Sequence, residues 1–168
     1  MYMGMKSWIQ LIRKLSKLRS SINIGKLPSL NTVAGQCGQG WLHHDASCYF
    51  LSRDTLTWVE AMTMCKLSGG YLAEATSDRE GHFLENQVKV FAREFWIGGS
   101  DTIVEGEWVW QQSMTELRAS SYSNWYPGHP NGGGAENCMA IAADGTWRDE
   151  SCHGASLNYI CEMNPSKK

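Results

Sequence analysis

The sequence predicts an α+β domain, and three observations carry that prediction. Two Ser/Thr-x-x-Glu patterns open helical spacings in its first half. Short strand-like runs and long loops fill its second half. Six cysteines, at 37, 48, 65, 138, 152 and 161, span that whole region and read as a disulfide framework of an oxidising, extracellular compartment.

The elements follow in chain order. Residues 1–36 form a basic arm and linker. Six basic residues and no acid precede Asp45. Trp8, Ile9, Leu11, Ile12, Leu15 and Leu18 recur at helical spacing, interrupted by Arg13, Lys14 and Lys17. That pattern reads first as a disordered tail, since so short a helix is marginal alone, and second as an amphipathic helix for weak contact with an anionic membrane surface. It lacks the unbroken apolar run of a signal peptide or a membrane span. The domain runs over 37–163, with a tail at 164–168.

In the domain, "SCYFLS" reads as a strand. "TWVEAMTMCKLSGG" reads as a helix opened by Thr57 with Glu60 and stopped at Gly69-Gly70. "SDREGHFLENQVKVFAREF" reads as a second helix, opened by Ser77 with Glu80. Its apolar stripe is Phe83, Leu84, Val88 and Phe91. "FWIGGS" and "EGEWVWQ" are strand-like. Residues 113–137 are loop-rich. "CMAIAADGTWRDESC" reads as a hairpin turning at Asp144-Gly145, and "NYICEM" as a closing strand. Trp96, Trp108, Trp110 and Trp147 are candidates for the core, while Trp125 and Tyr126 sit in the loop. His43-His44 reads as a surface pair.

From residue 37 onward there are nine basic and seventeen acidic residues, a balance of −8. An acidic domain argues against nucleic acid as its partner. No Gly-x-Ser-x-Gly, His-Glu-x-x-His or phosphate-binding glycine loop occurs, so the sequence does not read as an enzyme. No Cys-x-x-Cys occurs either.

The motifs "WIGG", "EGEWVW", "NWYPGHPN", "ENCMAI", "GTWRDESC" and "YICE", taken in order over 37–163, resemble the C-type lectin-like domain, especially its short secreted single-domain members. The residues alone leave fifteen pairings of six cysteines open. The resemblance implies Cys37 with Cys48, Cys65 with Cys161, and Cys138 with Cys152. In the chain-entropy model the longest of these loops is worth about 4–5 kcal/mol and the short ones about 3.

The resemblance also implies a Ca²⁺ ion that takes oxygens from the protein and from two sugar hydroxyls. Its ligands come from an X-Pro-X turn with a cis proline, a later Glu, and an Asn-Asp pair after a Trp. Asn131, Glu136 and Asp149 match three of those positions. His129 and Arg148 depart. Imidazole suits softer metals than calcium. Arginine has donors only and a fixed positive charge. Asp101 and Glu105, with Glu136, match an auxiliary calcium site, where Asn137 replaces a carboxylate.

The resulting expectation is a carbohydrate-binding lectin of pattern-recognition type. Its binding residues would be His129, Asn131, Glu136, Arg148 and Asp149, its partner a glycan or glycoprotein, and its calcium weakly held. The alternative is a calcium-independent module that binds protein or mineral, in which Arg148 pairs with Glu136 or Asp149 in place of the cation.

Overall fold

The computed structural model describes residues 37–118 and 121–165. The expected basic arm and the last residues of the tail lie outside them. Among the described residues, no helix is long and apolar enough to cross a membrane.

Strands β1 (Leu42–His44) and β2 (Ser47–Leu51) form a hairpin. Helix α1 (Trp58–Leu67) and the short β3 (Tyr71–Leu72) follow, then helix α2 (Asp78–Phe91). The remainder is β4 (Phe95–Ser100), β5 (Val109–Trp110), a 3₁₀ turn at Gly133–Ala135, β6 (Cys138–Ile141), β7 (Trp147–Glu150) and β8 (Asn158–Met163). One sheet runs β1-β2-β8-β4-β6-β7, with β3 added on β8 and β5 on β4. Among the described strands β4 and β8 pair in parallel and the other ladders are antiparallel.

The helices start where their caps place them. Glu60 accepts hydrogen bonds from the backbone N–H and the hydroxyl of Thr57, at 3.0 and 2.8 Å. Ser77 accepts from the Glu80 N–H at 3.3 Å, but Glu80 reaches one residue further back, to Thr76. Helix α1 ends before Gly69, whose φ of +85° suits glycine. Helix α2 stops at Ala92 in the left-handed region, several residues short of the expected "AREF". Its stripe is also narrower than expected. Leu84 and Val88 are fully buried and Phe83 is partly so, while Phe91 is 42% exposed at the helix end.

The core has two parts. Trp108, Trp110 and Trp147 join Leu84, Val88, Ile97 and Ile160 in one; Trp96 packs with Trp58, Tyr159 and two disulfides in the other. All four tryptophans assigned to the core are buried. The six cysteines form Cys37–Cys48, Cys65–Cys161 and Cys138–Cys152. The last of these closes the β6–β7 hairpin, which turns through Asp144 and Gly145. The expected strand at "EGEWVWQ" is reduced to Val109–Trp110, because the preceding residues make a turn that closes on Asp101.

Candidate functional site

The long loop is pinned to the sheet before it presents anything. Trp147 N–H donates to the Asn124 carbonyl at 2.7 Å, and Tyr126 N–H donates to the Trp147 carbonyl at 2.9 Å. Trp125 lies edge-on to Trp108 and Trp147, with ring centroids 4.8 and 6.0 Å apart. Trp125 is therefore part of the packing, while Tyr126 is 42% exposed beside it.

Strand alternation then decides what β7 shows to the loop. Trp147 and Asp149 point inward and are buried; Arg148 and Glu150 point the other way. Asp149 is 1% exposed and fully engaged. One oxygen accepts from the backbone N–H groups of Asn131 and Gly132, at 2.7 and 2.6 Å. The other lies 2.5 Å from His129 Nδ1. The peptide bond between His129 and Pro130 is cis. Burial works to raise the Asp149 pKa. The Gly132 N–H, the His129 ring and the Asn131 N–H outweigh it and hold the carboxyl below the usual range.

Arg148 does not fill the cation's place between Glu136 and Asp149, and the reason is the pleat. Adjacent strand residues face opposite sides, so Arg148 lies over the Tyr126 ring, 5.0 Å from its centroid. Its nearest carboxylates are Glu94 and Asp144, at 3.8 and 3.9 Å. His129, which reads in sequence as a lost ligand, is the residue that pairs with Asp149.

Glu136 is half-buried after the 3₁₀ turn. Its side chain lies against Gly132 so closely that a Cβ there would collide with it. Its charge helps raise the pKa of Glu150, although burial is the larger cause. The Asn131 side chain is exposed. The primary cage therefore fits calcium poorly. Its buried carboxylate already accepts three donors, and one neighbour is an imidazole.

The auxiliary residues differ. Asp101 is 2% exposed. Its Oδ2 accepts from Gly106 N–H at 2.9 Å, while its Oδ1 is buried without a partner. Asn137 Oδ1 is also buried without a partner. Two orphan oxygens suit a hard cation or a water. Glu105 is exposed on the same turn. Among the described residues, no three Asp, Glu, His or Cys side chains gather as a metal site. Of the expected residues, the fold brings His129 onto Asp149, sets Asn131 and Glu136 around them, keeps Asp101 apart and turns Arg148 away.

A model of the C-type lectin domain matches residues 54–163 of this sequence. The chain belongs to the C-type lectin family. A perlucin-like protein of Mytilus galloprovincialis is 32% identical over 135 residues, covering 77% of this chain and 85% of the relative. The low affinity immunoglobulin epsilon Fc receptor of Mus musculus is 32% identical over 153 residues, 90% of this chain and 44% of that receptor. The chain thus spans less than half of the larger receptor.

Among solved C-type lectin folds, the cow carbohydrate-recognition domain of CD23, determined in the presence of a GlcNAc2Man3 oligosaccharide, is 30% identical. Its TM-score is 0.70, with 79% of this chain and 98% of that one covered. A calcium-independent type II antifreeze protein is 32% identical with a TM-score of 0.69, covering 78% and 96%.

Sequence reasoning gave Glu94 and Glu150 no role and Asp144 only a place in the hairpin turn. The alternation of "TWRDES" was the available signal, since it places Arg148 and Glu150 on the face opposite Asp149.

Proposed function

We propose that this C-type lectin domain recognises glycans or glycoproteins outside the cell, through the surface formed by the long loop and β7. The observation that carries the reading is a lectin loop whose acidic position is intact but held by protein donors. Asp149 accepts from His129 and from two loop N–H groups, so the loop keeps its shape without a cation. Exposed Asn131 and half-buried Glu136 stand beside it as hydrogen-bonding groups for sugar hydroxyls. Three disulfides favour an extracellular setting. Membership of a binding-domain family favours a binding role rather than catalysis.

A calcium ion, where bound, would take the unpartnered oxygens of Asp101 and Asn137 at the foot of the loop. The unpartnered oxygens of Asp101 and Asn137 favour that position over the one at Asp149.

A second reading is a calcium-independent module for a protein or mineral surface. The likeness to a calcium-independent antifreeze protein favours it, as does the engagement of Asp149 by His129.

Thermal unfolding of the full chain with calcium, with EDTA, and with mannan added to each separates these readings. A ligand of the native state raises the midpoint by mass action. The glycan reading expects a rise with mannan in EDTA and a small or absent rise with calcium. A rise with neither mannan nor other polysaccharides shifts the reading to protein or mineral. Exchanging His129→Glu, which replaces the imidazole on Asp149 by a carboxylate, should raise calcium affinity by calorimetry. No gain in affinity would show that the cage is closed for another reason.

A further inference from the structure

A cleft of about 230 Å³ opens between α1, β3 and the β4–β5 ladder, and none of the long-loop residues lines it. Trp58, Met62 and Lys66 are spaced four residues apart on α1, so they form one stripe of its wall, running from buried to exposed. Tyr71 and Leu72 of β3 and Gln111, just after β5, face that stripe across the cleft. The walls are fixed from behind. Trp58 Nε1 donates to the Ile97 carbonyl at 2.9 Å, Tyr71 Oη to Glu162 at 3.0 Å, and Gln111 N–H to the Gly98 carbonyl at 2.9 Å. A ligand would therefore enter a shape that already exists.

One group in the wall is unfinished. Gln111 Nε2 is buried and donates to no acceptor among the described residues. Such a donor carries a desolvation cost that an entering acceptor would return. Charge points the same way. The lining holds a cation, Lys66, and no carboxylate. Glu74 and Glu162 bond to the lining residues Gln112 and Tyr71, but they are 3% and 5% exposed and are engaged by protein donors.

We infer that this cleft is a binding site, separate from the glycan surface, for a small aromatic carboxylate, one aryl ring joined to its acid by a short chain. The ring packs on Trp58, Met62 and Leu72, the thioether of Met62 suiting an aromatic partner. The carboxylate accepts from the Lys66 ammonium and the Gln111 amide. Size and polarity select this class. An apolar cavity of about 150 Å³ holds benzene, so this one takes a ring with its short acid arm. A sugar of equal size would press hydroxyls against Trp58, Met62 and Leu72 without partners.

The test titrates 3-phenylpropionate into the oxidised full chain and follows the Trp58 Nε1–H and Met62 methyl resonances by NMR. Saturable shifts at both are the expected result, with a Kd on the order of 1 mM for so small a ligand. 3-Phenylpropan-1-ol keeps the ring and loses the charge, and should bind about tenfold more weakly. Lys66→Met should cost the acid a similar factor. Gln111→Leu should weaken the acid several-fold yet leave the unfolding midpoint unchanged or raised, because it deletes a donor that the protein does not satisfy. Circular dichroism checks that both variants fold. Asn131→Ala should leave the titration unchanged, and saturating 3-phenylpropionate should leave mannan retention unchanged, so this site and the glycan reading fail separately.

No shift at either resonance at about 10 mM acid would overturn the site. Equal affinity for the acid and the alcohol would overturn the carboxylate. Binding unchanged by both Lys66→Met and Gln111→Leu, or abolished by Asn131→Ala, would place the acid elsewhere and overturn the cleft as its site.

Discussion

Two buried carboxylates, one on the last strand of the sheet and one on an interior strand, have the same number of hydrogen bonds and opposite acid–base behaviour. Asp149, on β7, accepts from two backbone N–H groups and faces His129. Glu162, on β8, is 5% exposed. It accepts from Ser47 Oγ at 2.8 Å, Tyr71 Oη at 3.0 Å and Glu74 N–H at 3.2 Å. Asp149 is held below the usual carboxylate range, whereas Glu162 is pushed up to about 7. Burial acts upward on both. For Glu162 the charge of Glu80 adds to it, against the three donors. At Asp149 the donors win. Counting hydrogen bonds is therefore insufficient; at Glu162 burial first, with the Glu80 charge added to it, outweighs the donors.

The two groups also affect stability in opposite pH ranges. Asp149 has a lowered folded pKa, so its contribution is present above the unfolded value and is lost as pH falls through the folded one. Glu162 has a raised folded pKa. Its contribution is complete below the unfolded value of 4.5 and is lost as pH rises through about 7.

The largest expected effect comes from removing the better-satisfied group. Asp149→Ala leaves two backbone N–H groups and an imidazole without an acceptor. The expected loss is about 3–4 kcal/mol of unfolding free energy in urea, because orphaned polar groups cost more than a hydrogen bond gains. A loss under about 1 kcal/mol would mean that water replaces the carboxylate readily.

The next effect isolates Glu162. Between pH 4.5 and 8 the wild-type stability should fall, relative to Glu162→Gln, by roughly 3 kcal/mol. Urea midpoints for both proteins across that range measure the difference. Parallel curves would show that Glu162 titrates near its ordinary value.

The smallest effect sharpens the cause. Glu80→Gln removes the neighbouring charge; its one oxygen can still accept from Thr76, bonded to one Glu80 oxygen at 2.8 Å, while its amide faces the Tyr49 hydroxyl, bonded to the other at 2.5 Å and able to accept. The Glu162 midpoint, read by carboxyl-carbon NMR, should drop by less than about one unit. An unchanged midpoint would assign the whole shift to burial.

Much of the scaffold was legible before the fold was known. Thr57 and Ser77 announce their helices because capping is local chemistry. The runs at Phe95–Ser100 and Asn158–Met163 read as strands and form them. The buried tryptophans follow from the size of their apolar surface. Less of the site was legible. His129 and Asp149 are twenty positions apart, and only the loop's return onto β7 joins them. The short β1 and β3 were missed because three and two residues carry too little pattern. Glu162 was invisible as a buried acid, since its partners come from β2, β3 and the segment after it.

The Asn124–Tyr126 segment has one more consequence. β7 is the last strand of its sheet, and this segment occupies the backbone groups of Trp147 that would otherwise be open to another chain. The same stretch that starts the recognition loop is thus a guard against unwanted strand addition. Mutational drift has room at the exposed side chains of residues 127–136, apart from His129 and Gly132, which hold Asp149, and can there alter what the loop presents. It has far less latitude at 124–126, where a change of specificity would come at the risk of exposing a sticky edge.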